Sequence, residues 1–150
     1  MIDLKLRINP DMLDVAWGII TEGIDQLRLG ERVQFSAPDL EDEDFAEAWE
    51  SSLQEELDAD IVALEFLFTK TRFGIEDVQI NPEVAEGITR ASSAVRLWLR
   101  TNNLSEVEDT VLESQEMFDL DLPPEESMSL WAYTILGVLQ ECIIEILMGE

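Results

Sequence analysis

Asn81-Pro82-Glu83-Val84-Ala85-Glu86-Gly87-Ile88-Thr89-Arg90-Ala91-Ser92-Ser93-Ala94-Val95-Arg96-Leu97-Trp98-Leu99-Arg100-Thr101-Asn102-Asn103 is the stretch whose reading decides the fold class. Val84, Ile88, Ala91, Val95 and Trp98 recur at intervals of three and four residues, the spacing that lines one face of an α-helix. Asn81 supplies an N-cap, and Pro82 at the first helical position forfeits an N–H that has no partner there in any case. Asn102-Asn103 ends the helix. Ala91, Ser92, Ser93 and Ala94 are small enough to let a second helix approach closely.

Working towards the N-terminus, Ile75, Val78 and Ile80 allow a short strand, and Gly74 closes the element before it. That element is a long helix striped by Phe45, Trp49, Leu53, Leu57, Ile61, Leu64 and Phe68, which Asp58-Ala59-Asp60 could divide. From Ile61 to Phe68 only Glu65 is polar, which predicts burial nearly all round and a central place in the fold. Val33-Gln34-Phe35 reads as another short strand, and Ser36, Pro38 and Asp39 as the approach to the next helix. The first helix opens at Asn9-Pro10, carries Leu13, Ala16, Trp17, Ile20, Ile24 and Leu27 on one face, and stops near Gly30. Before it, Ile2, Leu4, Leu6 and Ile8 alternate with Asp3, Lys5 and Arg7 in the two-residue period of a strand. Asn9-Pro10 and Asn81-Pro82 repeat one signature, but the flanking regions do not align, so no internal duplication is read.

Working towards the C-terminus, residues 105–118 form a weaker, strongly acidic helix, and Asp119 to Pro124 a linker. A last helix from Glu125 to Met148 has a seam of Trp131, Ile135, Val138, Cys142 and Ile146. Gln140, Glu141 and Glu145 interrupt this apolar stretch, and buried charge in a bilayer is costly, so it is not read as a membrane span. The expectation is therefore a mainly α, single domain over residues 1–150: a bundle of four to five helices with a short N-terminal strand or small antiparallel ribbon.

Charge is the second constraint. The chain carries 34 acidic and 9 basic residues, a formal charge of −25, with no histidine, yet it is 46% hydrophobic. Residues 1–75 hold 18 acids and 6 bases and residues 76–150 hold 16 and 3, so the imbalance is global and not an acidic tail. Enough apolar surface is present for a core, which separates this chain from disordered acidic sequences. Nucleic acid is an unfavourable direct partner, because phosphate neutralisation requires clustered Lys and Arg.

Candidate chemistry is sparse. No histidine stands ready as a base, the seven glycines are scattered singly, and the one cysteine, Cys142, sits on an apolar seam as a packing residue. No disulfide is possible within one chain, and no leader pattern opens the sequence, so a reducing cytoplasm is the expected location. The acidic clusters at residues 41–44, 55–60, 106–109 and 119–126 lack the glycine and glutamate placement of a calcium loop and read as solvated faces; no metal or other cofactor is expected. Arginine is the rarer resource. Arg90, Arg96 and Arg100 fall in one helix, and the 50 residues after Arg100 hold twelve acids and no base. Arg96 and Arg100 share a flank and are expected to pair with carboxylates of the last two helices, with an anion or partner site as the alternative. Trp17, Trp49, Trp98 and Trp131 read as core anchors, with Trp98 and Trp131 also placed for an interface, and Glu141 with Glu145 as the solvent edge of the last helix.

The pieces Leu4-Lys5-Leu6-Arg7-Ile8-Asn9-Pro10, Val95-Arg96-Leu97-Trp98-Leu99 and Leu136-Gly137-Val138-Leu139-Gln140-Glu141 are similar to an uncharacterised bacterial family of small acidic, mostly helical proteins, often encoded beside the Clp protease adaptor. The resemblance implies a cytoplasmic accessory or regulatory protein of no assigned activity. Together these readings predict a non-enzymatic module that acts through a protein partner or as a homo-oligomer, with neither nucleic acid nor membrane in direct contact. A carboxylate-only, divalent-metal-dependent hydrolase, an acidic nucleic-acid mimic filling a basic groove, and a plain adaptation to a salty interior are the alternatives.

Overall fold

The computed structural model describes residues 1–28, 43–107 and 124–149, with the side chains of the second helix from residue 53 onward. Its elements in order are strand β1 (Ile2–Leu4), helix α1 (Pro10–Arg28), helix α2 (Glu43–Lys70), strand β2 (Val78–Ile80), helix α3 (Pro82–Asn102) and helix α4 (Pro124–Met148). The mainly helical bundle with a small antiparallel ribbon is thus the observed architecture.

Both Asn-Pro signatures cap helices. Asn81 Oδ1 accepts from the Glu83 amide at 2.8 Å, and Asn9 Oδ1 accepts from the Asp11 amide at 2.9 Å, satisfying amides that no helical carbonyl can reach. The strands that feed these caps pair with each other, Ile2 opposite Ile80 and Leu4 opposite Val78, so that both put their apolar side chains into the core. Only residues 2–4 of the alternating 2–8 segment form a strand. Farther along it, the Ile8 amide instead donates to the Gly74 carbonyl at 2.8 Å, and Gly74 adopts φ +87°, a conformation that strains any residue with a Cβ.

Helix α3 occupies the centre, packed against α2 on one side and α4 on the other, with α1 also in contact. Its buried face of Ala85, Gly87, Ile88, Ala91, Ser92, Val95, Trp98 and Leu99 includes four positions of the seam read from the sequence, Ile88, Ala91, Val95 and Trp98, while the fifth, Val84, is half-buried. Gly23 of α1 is what lets Trp98 seat there: a Cβ at residue 23 would lie 3.1 Å from Trp98 Cε3 and 3.4 Å from Val95 Cγ1.

Two expectations for α2 are corrected. The helix runs unbroken through Asp58-Ala59-Asp60, and the 61–68 stretch is buried on one face only: Ile61, Leu64 and Leu67 are fully buried, whereas Val62 is 58% and Phe66 50% exposed. Residues four apart share a face, and the face carrying Val62 and Phe66 points away from α3. The seam of α4 is also rotated. Its buried residues are Ser129, Leu130, Ala132, Ile135, Leu136, Leu139, Gln140 and Ile143, while Val138 is 43% exposed and Trp131, Cys142 and Ile146 are half-buried. Glu141 and Glu145 do lie at its solvent edge. By length and composition alone α4 is also apolar enough to cross a membrane; in the fold it packs along α3 and α1.

Of the four tryptophans, Trp98 is buried and Trp17 is half-buried, stacked on Phe68 with ring centroids 4.9 Å apart. The side chains of Trp49 and Phe45, the strand read at 33–35, the stop near Gly30 and the acidic helix read at 105–118 (from residue 108) lie outside the described residues.

Candidate functional site

Helix α3 turns Arg90, Ser93, Ala94, Arg96, Leu97 and Arg100 away from its buried face, and two adjoining concavities form along them. The larger, about 390 Å3, lies between α2 and α3. Leu53, Leu57, Ala94 and Leu97 form its apolar wall, and Glu56 with the Asp60–Arg90 pair its polar border. The smaller, about 220 Å3, is lined by Ser93, Arg96, Leu97, Arg100 and Tyr133 of α4. Ser93 and Leu97 belong to both, so the two are continuous along the helix.

At the first cavity, Arg90 makes the forked contact that suits a carboxylate, Nε to Asp60 Oδ2 at 2.9 Å and Nη2 to Oδ1 at 3.0 Å. Asp60 is buried, and Gly87 makes room for it: a Cβ there would stand 3.0 Å from Asp60 Oδ1. Donation to Asp60 holds the Arg90 guanidinium above the ordinary arginine pKa against some desolvation. Its side chain remains 61% exposed, so the pair belongs to the wall of an open groove and contributes modestly to stability.

The second cavity departs from expectation. In place of the carboxylate partner that the sequence predicts, Arg96 is held by neutral groups among the described residues, which leave out the 105–118 helix from residue 108. Its Nη1 donates to Gln140 Oε1 at 2.9 Å, its Cζ lies 4.2 Å from the centroid of the Tyr133 ring, and its flank rests on Gly137, where a Cβ would come within 3.0 Å of Nη2. Gln140 is fixed in turn, its amide donating to the Thr89 carbonyl at 2.9 Å and to Ser93 Oγ at 2.5 Å. Because the amide nitrogen is committed to two acceptors, the oxygen must face Arg96. Arg96 Nε is buried with no hydrogen-bond partner, and no carboxylate lies within ion-pair distance of this guanidinium among the described residues. The reason is positional: Tyr133, Gly137 and Gln140 form the face of α4 that meets Arg96, while Glu141 and Glu145 lie on the solvent side. Arg100 bends back to donate from Nη1 to the Leu104 carbonyl at 2.5 Å, closing the end of α3.

Of the positions singled out in the sequence, Arg96 and Arg100 come together, and Arg90 borders the adjoining groove. Trp98 faces the opposite, buried side, and neither Trp131 nor Glu141 lines either concavity. Gln140, Tyr133, Gly137 and Asp60 went unrecognised as site residues. Gly137 is the signal that could have found the Arg96 contact, since a glycine inside a helix costs roughly 1 kcal/mol relative to alanine and so marks a close approach.

Elsewhere, burial and the nearby Glu145 carboxylate push the Cys142 thiol pKa up, partly opposed by the Lys5 backbone amide, which disfavours the nucleophilic thiolate. Among the described residues no three acidic or cysteine side chains gather in a group that could hold a metal ion. Set against known proteins, the chain matches no family model, and neither a curated protein nor a solved structure matches it.

Proposed function

We propose that this protein is a non-enzymatic, cytoplasmic accessory module that works through protein contacts, with the α2–α3 groove as its docking surface. The observation that carries the reading is the groove itself: an apolar wall of Leu53, Leu57, Ala94 and Leu97, with Leu97 46% exposed, bordered by acids on a chain of charge −25. An apolar surface rimmed by polar residues is the composition that marks an interaction site. The acidic field favours a partner segment that is apolar along one side and basic along the other, accelerating encounter and discouraging acidic competitors. The likeness of three segments to the acidic helical bacterial family supports an accessory role over a catalytic one. Two acids, Glu56 and Asp60, line the larger concavity, and Asp60 is tied up by the Arg90 fork, an arrangement that supports a docking wall more than a carboxylate-only hydrolase.

The test is paired affinity capture from the native cell, at low and moderate salt, with the wild-type protein and with Leu53→Asp/Ala94→Asp, which places carboxylates on the apolar wall. A protein retained by the wild type at low salt and lost from the variant supports docking in the groove. Identical recoveries for the two baits would remove the groove from the account.

A further inference from the structure

We infer that the cavity beside Arg96 is a binding site for a monocarboxylate with an apolar body, the group a peptide chain presents where it ends in an apolar residue. In a chain with 34 acids and 9 bases, Arg96 is a guanidinium that touches only neutral groups among the described residues. Arg90, Arg28 and Arg7 each contact a carboxylate directly. Arg96 rests on a ring, a glycine and an amide oxygen. These neighbours fix its position without neutralising it, which is how a preformed anion site differs from a structural ion pair. The Gln140 amide, locked by Thr89 and Ser93, keeps that geometry in place before any ligand arrives.

The shape selects the ligand further. The cavity, about 220 Å3, is lined by Ser93, Arg96, Leu97, Arg100 and Tyr133, and the half-exposed Leu97 also lines the apolar groove. A carboxylate at Arg96 therefore has hydrocarbon surface beside it, running towards Leu97 and Ala94. The net charge of −25 repels every additional negative charge on a ligand, so a singly charged carboxylate is favoured over a phosphate dianion. This inference deepens the interaction reading by giving the docked segment a chain end, but it is tested separately: a small carboxylate can bind whether or not a protein occupies the groove.

The experiment is a titration of the 15N-labelled full chain followed by backbone amide shifts, with N-acetylleucine, N-acetylleucinamide and inorganic phosphate as probes. N-acetylleucine is expected to shift the Ser93, Leu97 and Arg100 amides saturably, while the uncharged amide and phosphate each bind at least tenfold more weakly. Arg96→Gln is expected to weaken N-acetylleucine at least tenfold with the helical signal retained. Leu97→Glu, which leaves the Arg96 contacts intact and sets a like charge at the cavity border, is expected to do the same. Equal response to N-acetylleucine and its amide, tighter binding of phosphate, or unchanged affinity in folded Arg96→Gln or Leu97→Glu would each overturn the assignment.

Discussion

Replacing Gln140 by alanine removes a side chain that joins α4 to both the backbone and the half-buried Arg96 of α3. Gln140 is 7% exposed and makes three bonds, to Arg96 Nη1, to the Thr89 carbonyl and to Ser93 Oγ. A neutral hydrogen bond contributes about 1 kcal/mol and one to a charged group about 2 kcal/mol, which together make about 4 kcal/mol. Water recovers part of this, because Ser93 is exposed and Arg96 only half-buried, so the expected loss is about 3 kcal/mol. Against a typical stability of roughly 5–15 kcal/mol the change is large. Urea unfolding followed by tryptophan fluorescence reads it directly. With a slope of about 2 kcal/mol per molar, the midpoint falls by about 1.5 M. A fall of less than about 0.25 M, or about 0.5 kcal/mol at that slope, would refute the view that Gln140 organises this contact.

Gly23→Ala forces a methyl against the rigid Trp98 ring at 3.1 Å, and thermal unfolding is expected to show a loss of about 1–3 kcal/mol despite alanine's better helix propensity. Asn81→Ala strips the cap that accepts from the Glu83 amide and lowers stability by about 1 kcal/mol in the same assay. Phe66→Gln changes stability by less than about 0.5 kcal/mol, because that ring lies on the solvent face of α2; a loss of about 3 kcal/mol would return the 61–68 stretch to the core. Cys142 alkylates more slowly than free cysteine at pH 8. Its folded pKa is raised, so stability is unaffected below the ordinary thiol value of about 8.5 and declines above it, as the unfolded thiol ionises first.

How much of this was legible depended on how one-sided each helix is. Helix α3 has one dominant apolar face, so spacing alone places Ile88, Ala91, Val95 and Trp98 in the core, with Val84 at its half-buried margin and Leu97 left on the groove side. In α2 the apolar residues near Phe68 surround the helix, so composition suggested full burial, and only the position of α3 decides that Ile61 goes in and Val62 out. Helix α4 is apolar on nearly every side, which erases the periodic signal. A seam through Val138 read as well as the true one through Leu139 and Ile143. Both Asn-Pro caps were readable because capping is local chemistry, and the Arg96–Gln140 contact was not because it joins residues 44 apart in sequence. The abundance of acids also misled: with so many carboxylates available, an ion pair for Arg96 was the natural expectation, and the orientation of α4 presents Gln140 to it instead.

The claim that Arg96 touches only neutral groups among the described residues is tested most directly by the affinity of N-acetylleucine for Gln140→Glu, a substitution of nearly unchanged size that sets a carboxylate against the guanidinium while giving up the amide's donations to the Thr89 carbonyl and Ser93 Oγ. The dissociation constant is expected to rise at least tenfold over wild type in a chain that stays folded by circular dichroism. An unchanged constant in the folded variant would contradict it, because a site already supplied with a carboxylate would still be binding one.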